Sequence, residues 1–363
     1  MAIARRKSRQ IHVGNVPIGG DAPIAVQSMT TTKTEDVVAT LEEIHRLEEA
    51  GCELIRVAVP RERDAKVLGK IRSQMRVPLI ADIHFDYRLA LQALDQGVDC
   101  IRLNPGNIGS MDRVREVTRA AQSRRVPIRI GVNAGSLEED LLDQHGYPTA
   151  EAMVESAMRH VRILESLDFH DIKISIKASS VPLMVEAYRR LAVACDYPLH
   201  VGVTEAGMPP TGLVKSAIGI GMLLAEGIGD TIRVSLTADP VEEVQAGFDI
   251  LRTLNIRAKG AMIVACPTCG RIEVDLFKLV DEAKARLAHV EKPITVSILG
   301  CAVNGPGEAR EADIGIAGGK NGGLLIRAGK IVGKYKEGEL VDALVRAIDE
   351  MVAEDAPTHA VAG

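Results

Sequence analysis

The sequence predicts an α/β protein, a (β/α)8 barrel followed by a smaller α+β domain, and two observations support this fold class. Between residues 24 and 255, eight short β-branched, apolar runs alternate with charged amphipathic stretches. Eight strand-then-helix units are what such a barrel requires. The chain has 363 residues, which is too long for one ordinary hydrophobic core. We therefore predict a barrel domain at 1–258 and a second domain at 259–363.

Each predicted barrel strand is followed by a helical pattern, which is clearest at 34–50, 111–125 and 240–254. The apolar residues are mostly Ile, Val, Leu and Ala, as buried parallel strands and their covering helices require. An open doubly wound sheet is the alternative architecture, but it would not need eight units. The predicted strands lie at 24–29, 54–59, 79–83, 100–103, 128–133, 172–178, 199–205 and 231–236.

The second domain follows a predicted linker at 255–260. Its strands and helices alternate and end in a hairpin and a closing helix, which is typical of a compact α+β layer. We predict strands at 261–265, 294–299 and 312–317, a hairpin around 328–330, and helices at 274–289 and 340–353.

Cationic side chains fall on one face of the predicted barrel strands. Residues two apart in a strand share a face, and the side facing the helices must be apolar, so these cations point inward. Burying unpaired cations costs several kcal/mol each, so an anionic ligand is expected, and phosphate oxygens suit arginine and lysine. Alternatively, single cations are solvated at strand ends or paired with Asp82, Glu53 or Glu205. The cations are Arg56, Arg102, Arg129, Lys173, Lys177 and Arg233.

Other polar residues accompany these cations, either on the same strand faces or where the strands end, and we predict that they also bind the substrate. Asn104-Pro105-Gly106-Asn107 and Val203-Thr204-Glu205-Ala206-Gly207 lie at strand ends, where barrels of this kind carry out their chemistry. The predicted polar binding residues are His84, Asn104, Asn133, Ser175, Thr204 and Ser235.

Glu205 is the best-placed candidate for a general acid or base, because it lies close to the predicted cationic pocket. The alternative role for Glu205 is that of an ion-pair partner for a neighbouring cation. His84 is open to the same two interpretations.

Three cysteines form a candidate metal centre. Cys266-Pro267-Thr268-Cys269 places two thiols on one turn, and Gly300-Cys301 places a third on a glycine-rich turn. Three thiolates, with Glu308 as the nearest oxygen ligand, favour an iron–sulfur cluster, although zinc remains an alternative. Cys52, Cys100 and Cys195 lie among apolar residues and are predicted to be core residues.

Charge and composition argue against two classes of partner. The net charge is −5 and Trp is absent, so a general nucleic-acid binder is disfavoured. No apolar stretch follows the basic residues at the amino terminus, and no membrane span is expected elsewhere. We therefore expect a cytoplasmic protein with no membrane partner.

The motifs resemble those of the 4-hydroxy-3-methylbut-2-enyl diphosphate synthases, iron–sulfur enzymes of the non-mevalonate isoprenoid pathway. The resemblance covers nearly the whole chain, and the glycine-rich segment around Cys301 is its most specific part. The matching segments are Val26-Gln27-Ser28-Met29-Thr30, Ile80-Ala81-Asp82-Ile83-His84-Phe85, Asn104-Pro105-Gly106-Asn107, Val203-Thr204-Glu205-Ala206-Gly207, Cys266-Pro267-Thr268-Cys269-Gly270-Arg271 and Gly300-Cys301-Ala302-Val303-Asn304-Gly305-Pro306-Gly307-Glu308-Ala309.

The resemblance implies a TIM barrel joined to a ferredoxin-like domain of the sulfite-reductase type. It also implies a 4Fe–4S cluster held by Cys266, Cys269, Cys301 and Glu308. The implied reaction converts 2-C-methyl-D-erythritol 2,4-cyclodiphosphate into hydroxymethylbutenyl diphosphate with two electrons from flavodoxin or ferredoxin. The implied assembly is a homodimer in which one subunit's cluster domain caps the other's barrel.

Two other functions remain open on the sequence alone. One is a phosphosugar lyase or isomerase barrel with a structural zinc domain, and the other is a non-catalytic iron–sulfur carrier. The carrier would need no cationic cavity. A radical S-adenosylmethionine enzyme is disfavoured, because its usual Cys-x3-Cys-x2-Cys loop is absent.

Overall fold

A computed structural model of the chain describes residues 3–258, 260–301, 307 and 311–354. Internal contacts divide the chain into two compact units, Met1–Arg257 and Ala258–Gly363. Each unit has its own hydrophobic core. None of the described helices is both long and apolar enough to cross a membrane.

The first unit begins with a hairpin of β1 (Ile11–Val13) and β2 (Val16–Ile18), which was not predicted. Its strands are only three residues long, so they give too short a pattern to detect. Apolar side chains of the hairpin pack against Leu54, Ile80 and Cys100, which lie at or near the starts of three barrel strands. The hairpin therefore closes the amino-terminal end of the barrel.

Eight parallel strands form the barrel wall. In sheet order, the third to eighth strands of the chain follow one another, and the tenth lies between the third and the ninth. A parallel bridge from Ile174 to Leu199 joins the two ends of this sheet. The strands are β3 (Ala25–Met29), β4 (Leu54–Ala58), β5 (Leu79–Asp82), β6 (Cys100–Arg102), β7 (Ile128–Asn133), β8 (Ile172–Lys177), β9 (His200–Val201) and β10 (Thr231–Ile232).

Amphipathic helices separate these strands and bury their apolar faces against the outside of the barrel. The predicted stretches at 34–50, 111–125 and 240–254 each contain one of them. The helices are α1 (Val37–Glu49), α2 (Glu62–Lys66), α3 (Leu68–Arg72), α4 (Tyr87–Asp95), α5 (Met111–Arg124), α6 (Glu139–His145), α7 (Ala150–Glu165), α8 (Val181–Ala194), α9 (Thr211–Ala225) and α10 (Pro240–Thr253).

The last two barrel strands are much shorter than predicted, with only two residues each. Beyond β9, Glu205 has a φ of 51°, in the left-handed region that a strand excludes. Beyond β10, the Leu236 N–H donates to the Glu243 carboxylate at 2.8 Å rather than to a neighbouring strand. The predictions of strands throughout 199–205 and 231–236 were therefore wrong for residues 202–205 and 233–236.

The second unit contains a five-stranded mixed sheet whose strands lie in chain order. Its first three strands are parallel and the last two antiparallel. Two helices share one core with the sheet. The elements are β11 (Ala261–Ala265), α11 (Leu276–Arg286), β12 (Ile294–Leu299), β13 (Ile314–Gly319), β14 (Gly322–Arg327), β15 (Lys330–Tyr335) and α12 (Leu340–Glu354). The predicted fold class, a parallel barrel followed by a smaller α+β domain, is confirmed.

Candidate functional site

A cavity of about 230 Å³ opens at the carboxyl ends of the barrel strands. All of its lining side chains are polar or charged. Ten of the twelve predicted binding residues lie here, together with Asp82, which was considered only as an ion-pair partner. The lining residues are Arg56, Asp82, His84, Arg102, Arg129, Asn133, Ser175, Lys177, Thr204, Arg233 and Ser235.

Strand β8 shows how the sequence positions this lining. Ile172, Ile174 and Ile176 belong to the hydrophobic core, whereas Ser175 and Lys177 line the cavity. The period of two therefore separates the faces as predicted.

A glycine on the neighbouring strand makes room for an arginine. A Cβ at Gly131 of β7 would lie 2.5 Å from the Arg102 Nε. Arg102 instead donates from Nη2 to the Gly131 carbonyl at 2.7 Å. Gly131 therefore allows the guanidinium to approach the backbone closely.

Cations outnumber carboxylates in the cavity. Five lining residues are Arg or Lys, and Asp82 is the one carboxylate among the described residues that line it. An Asp82 carboxylate oxygen lies 3.7 Å from the Arg56 Nε, and the other lies 3.4 Å from the Arg102 Nη1. Burial raises the pKa of Asp82, but Arg56 and Arg102 outweigh this effect and hold its pKa below the ordinary value.

Burial has the opposite effect on the cations. It lowers the pKa of Lys177 well below the ordinary lysine value, and the adjacent Arg233 adds to this effect. Burial and Arg56 likewise lower the pKa of Arg233 to about 10. The cavity is therefore a place where positive charge is unfavourable until an anion arrives.

Several buried donors in this part of the barrel have no acceptor among the described residues. The atoms are the Nε of Arg102, Arg129 and Arg233 and the hydroxyls of Ser175 and Ser235. A buried donor without a partner costs about 1–3 kcal/mol, and more when it is charged. A ligand that offers many acceptor oxygens would satisfy this set.

Three of the predicted residues lie away from the lining. Lys173 is fully buried, and its Nζ has no hydrogen-bond partner in the described part of the chain. Asn104 is used within the wall, since its side chain accepts from the Gly131 N–H at 2.8 Å and donates to the Gly131 carbonyl at 3.0 Å. Glu205 is exposed in the loop after β9, directly after Thr204.

His84 lies at the exposed rim of the cavity, just after β5. Partial burial lowers the pKa of His84, and Arg102 and Arg56 reinforce this effect against the opposing charge of Asp82. The imidazole is therefore biased towards its neutral form.

The cysteine motif of the second unit lies where two parallel strands end. Ala265 pairs with Ile298, so Cys266 after β11 and Cys301 after β12 lie at the same sheet edge. The Gly300 N–H donates to the Cys266 Sγ at 3.3 Å. Hydrogen bonds from the backbone and side chain of Arg271 lower the pKa of the exposed Cys269.

Glu308, the predicted fourth ligand, lies outside the described residues. Within the described ranges, no three His, Cys, Asp or Glu side chains are grouped closely enough to hold a metal ion. The three cysteines are nevertheless a sulfur donor set with a backbone N–H directed at one thiol, which is chemistry suited to an iron–sulfur cluster.

Sequence reasoning missed Glu243, which contacts the cavity lining. Glu243 on α10 lies 3.6 Å from Arg233, yet it belongs to an ordinary charged helix. Only its spacing from apolar Val244 and Gly247 on the buried face could have indicated that it points inward.

A parallel barrel with a cationic cavity at the carboxyl ends of its strands, followed by a domain that carries three cysteines, defines a class of protein. It is the class of two-domain barrel proteins whose cavity suits an anionic ligand.

Comparison of the sequence with known protein families narrows this class to one family. Residues 8–248 match the GcpE TIM-barrel domain, and residues 262–350 match the GcpE protein C-terminal domain. The chain belongs to this family, the 4-hydroxy-3-methylbut-2-en-1-yl diphosphate synthases, which are oxidoreductases of the non-mevalonate isoprenoid pathway. The predicted family and enzyme class are thus confirmed.

Two relatives carry the name 4-hydroxy-3-methylbut-2-en-1-yl diphosphate synthase (flavodoxin). The protein from Geobacter sulfurreducens is 59% identical over 96% of this chain and 99% of its own length. The protein from Geobacillus thermodenitrificans is 57% identical over 97% of this chain and 94% of its own length.

The barrel also resembles a solved structure of very different sequence. Dihydropteroate synthase from Stenotrophomonas maltophilia matches with a TM-score of 0.50 at 14% identity, over 68% of this chain and 97% of that one. This likeness concerns the fold alone.

Proposed function

We propose that the barrel cavity binds the diphosphate of 2-C-methyl-D-erythritol 2,4-cyclodiphosphate and that the chain opens this ring reductively to hydroxymethylbutenyl diphosphate. The main support for the proposal is that several arginine and serine donors of the cavity are buried without an acceptor among the described residues. A diphosphate supplies both the negative charge and the acceptor oxygens that these donors lack.

The cations bind and orient the substrate. The phosphates are surrounded by the cavity cations, which are Arg56, Arg102, Arg129, Lys177 and Arg233. The carbon skeleton is oriented by the polar lining residues Ser175, Ser235, Thr204, Asn133 and His84. Because Asp82 already pairs with two arginines, their guanidinium groups are held in place before substrate arrives. Lys173 lies outside the cavity lining and contributes its positive charge to the site. Asn104 contributes indirectly, through its hydrogen bonds to the backbone of Gly131.

Glu205 moves the proton. The reaction takes up two electrons and a proton while C–O bonds break. The diphosphate remains bound to the cavity cations, and the hydroxyl group leaves as water. Glu205 is assigned as the acid that protonates this hydroxyl, because it follows Thr204 at the open end of the cavity. Its left-handed backbone, with φ at 51°, is a strained conformation of the kind that occurs at functional sites.

The second unit would hold the group that passes electrons from the donor to the substrate. Cys266, Cys269 and Cys301 would hold a 4Fe–4S cluster, with Glu308 as the fourth ligand that the family resemblance implies. Such a cluster, when bound, transfers electrons one at a time. The Gly300 N–H directed at Cys266 would stabilise the thiolate form of that ligand.

The proposed partners follow from the relatives. Their names include flavodoxin, so a flavodoxin is proposed as the electron donor, with ferredoxin as the alternative. A homodimer in the cytoplasm, with no nucleic-acid or membrane partner, completes the proposal.

Family membership decides against both other functions considered for the sequence, the phosphosugar lyase or isomerase with a zinc domain and the electron carrier.

An anaerobic turnover assay tests the proposal. The holoenzyme, given reduced flavodoxin and the cyclic diphosphate, should form hydroxymethylbutenyl diphosphate with two electrons consumed per product, as followed by mass spectrometry and flavin absorbance. Absence of product with a fully loaded enzyme and an active donor would overturn it.

A further inference from the structure

Glu243 is a buried carboxylate behind the cavity wall. It lies in the first turn of α10, which packs against the barrel next to β3 and β10. The residue is only 4% exposed. A buried carboxylate needs hydrogen bonds or a cation to remain there.

The contacts of Glu243 converge on two cavity residues. One carboxylate oxygen accepts from the Leu236 N–H at 2.8 Å, directly after Ser235. The other accepts from the Ser28 hydroxyl at 3.2 Å and lies 3.6 Å from the Arg233 Nη2. Glu243 therefore holds both Arg233 and the segment that carries Ser235.

The charge of Glu243 matters because Arg233 lies among other cations. Burial and Arg56 both oppose the charge on Arg233, and Glu243 counters part of this effect. Among the described residues that line the cavity, Arg56 and Arg102 pair with Asp82, whereas Arg233 pairs with Glu243. Without that carboxylate, repulsion would push the guanidinium away from its position.

We propose that Glu243 is a positioning residue for diphosphate binding, acting through Arg233 and Ser235. This inference rests on the proposed function of the cavity. Glu243 has no contact with the cavity space itself, so its effect is on binding geometry rather than on the chemical step.

The test variant is Glu243→Gln, which keeps the size of the side chain. Its amide oxygen can still accept from Leu236, but its NH2 group cannot accept from Arg233. The matched control is Glu53→Gln. Glu53 accepts from the Val26 N–H at 2.9 Å and pairs with Arg257 at 2.7 Å. It therefore also joins a backbone N–H to an arginine, but Arg257, unlike Arg233, does not line the cavity.

Steady-state kinetics of the holoenzyme should show a KM for the cyclic diphosphate at least about fivefold higher in Glu243→Gln, with kcat within about threefold of wild type. The Kd of inorganic pyrophosphate should rise in parallel. In Glu53→Gln, the KM for the cyclic diphosphate and the Kd of pyrophosphate should stay within about twofold of wild type. This should hold even if the melting temperature falls as far in Glu53→Gln as in Glu243→Gln. An unchanged or lower KM in Glu243→Gln, or equal changes in both variants, would overturn the inference.

Lys177→Met separates this result from a failure of the proposed function. If Lys177→Met raises KM and Glu243→Gln does not, only the positioning role is wrong. If neither variant changes KM or pyrophosphate binding, the cavity is not the diphosphate site.

Discussion

Lys177 and Arg129 are buried cations that have no ion pair in the described part of the chain. Charged groups in such surroundings are expensive unless a ligand compensates them. At the scale of single residues, the cavity therefore carries uncompensated positive charge, which the proposed diphosphate would neutralise. Three predictions test how individual side chains contribute to substrate binding and turnover.

Replacing Lys177 with Met should raise the KM for the cyclic diphosphate at least about tenfold, because a buried charge-assisted hydrogen bond to phosphate is lost. Steady-state kinetics of the holoenzyme checks this. Lys70→Met, at an exposed lysine of α3, is the control and should leave KM unchanged. Equal affinity in Lys177→Met and wild type would show that Lys177 does not face the phosphates.

Substrate affinity should fall as the pH rises above about 8. Burial lowers the pKa of Lys173 to about 8 and that of Lys177 well below the ordinary value of 10.5. Above those pKa values the free protein carries neutral amines, and a bound diphosphate raises the pKa values again, so binding takes up protons. Calorimetry in two buffers of different ionisation enthalpy measures this uptake, and its absence at pH 8–10 would contradict the prediction.

Glu205→Gln should keep diphosphate binding within about threefold but lower kcat at least about 100-fold, because the amide cannot donate an acidic proton. Anaerobic single-turnover kinetics separates the two effects. Wild-type turnover in the variant would show that another group protonates the leaving hydroxyl.

At the scale of elements, the β1–β2 hairpin and the barrel strands divide their tasks. The carboxyl ends of the strands carry the cavity, while the hairpin seals the opposite end with an apolar cluster. This is the separation of function from stability that barrels commonly show.

Ile18→Ala should therefore destabilise the protein by about 2–5 kcal/mol, because the Ile18 side chain is fully buried in the hairpin cluster. Urea unfolding monitored by circular dichroism measures the change. Val193→Ala is the control, since Val193 is 90% exposed, and it should lie within about 0.5 kcal/mol of wild type. A loss of less than about 1 kcal/mol in Ile18→Ala would mean that the hairpin is not part of the cooperative core.

At the scale of the whole molecule, the proposed reaction draws on different chemistry from each of the two units. The barrel contributes buried cations, and the second unit contributes thiols at the end of a mixed sheet. Neither set is sufficient for reduction of a diphosphate ester, which needs both an anion site and an electron source.

Anaerobically purified protein should contain about four iron and four sulfide per chain, the composition of a cubane cluster. Cys301→Ser should lose most of this iron, because a thiolate ligand is removed. Cys195→Ser, which changes a partly buried cysteine on α8's carboxyl side, should retain it. Metal analysis with an optical spectrum checks both, and a colourless wild-type protein holding zinc would exclude the cluster.

Much of this architecture could be predicted from the sequence, because periodicity determines which way side chains face. The alternation in Ile172–Lys177 indicated that Lys177 points inward, and the spacing of the cysteines indicated a metal centre. The eight repeated units predicted the barrel, because each apolar strand needs a covering helix.

Only the tertiary structure decided how deep each inward side chain lies. A period of two gives the face but not the level along the barrel axis, which depends on the stagger between strands. Thus Lys173 pairs in register with Arg129 yet lies outside the cavity lining. The side chain of Asn104 hydrogen-bonds to the backbone of Gly131 instead of lining the cavity. The ion pairs of Asp82 and Glu243 also depend on the tertiary structure, because each carboxylate lies on a different element from the arginine it contacts.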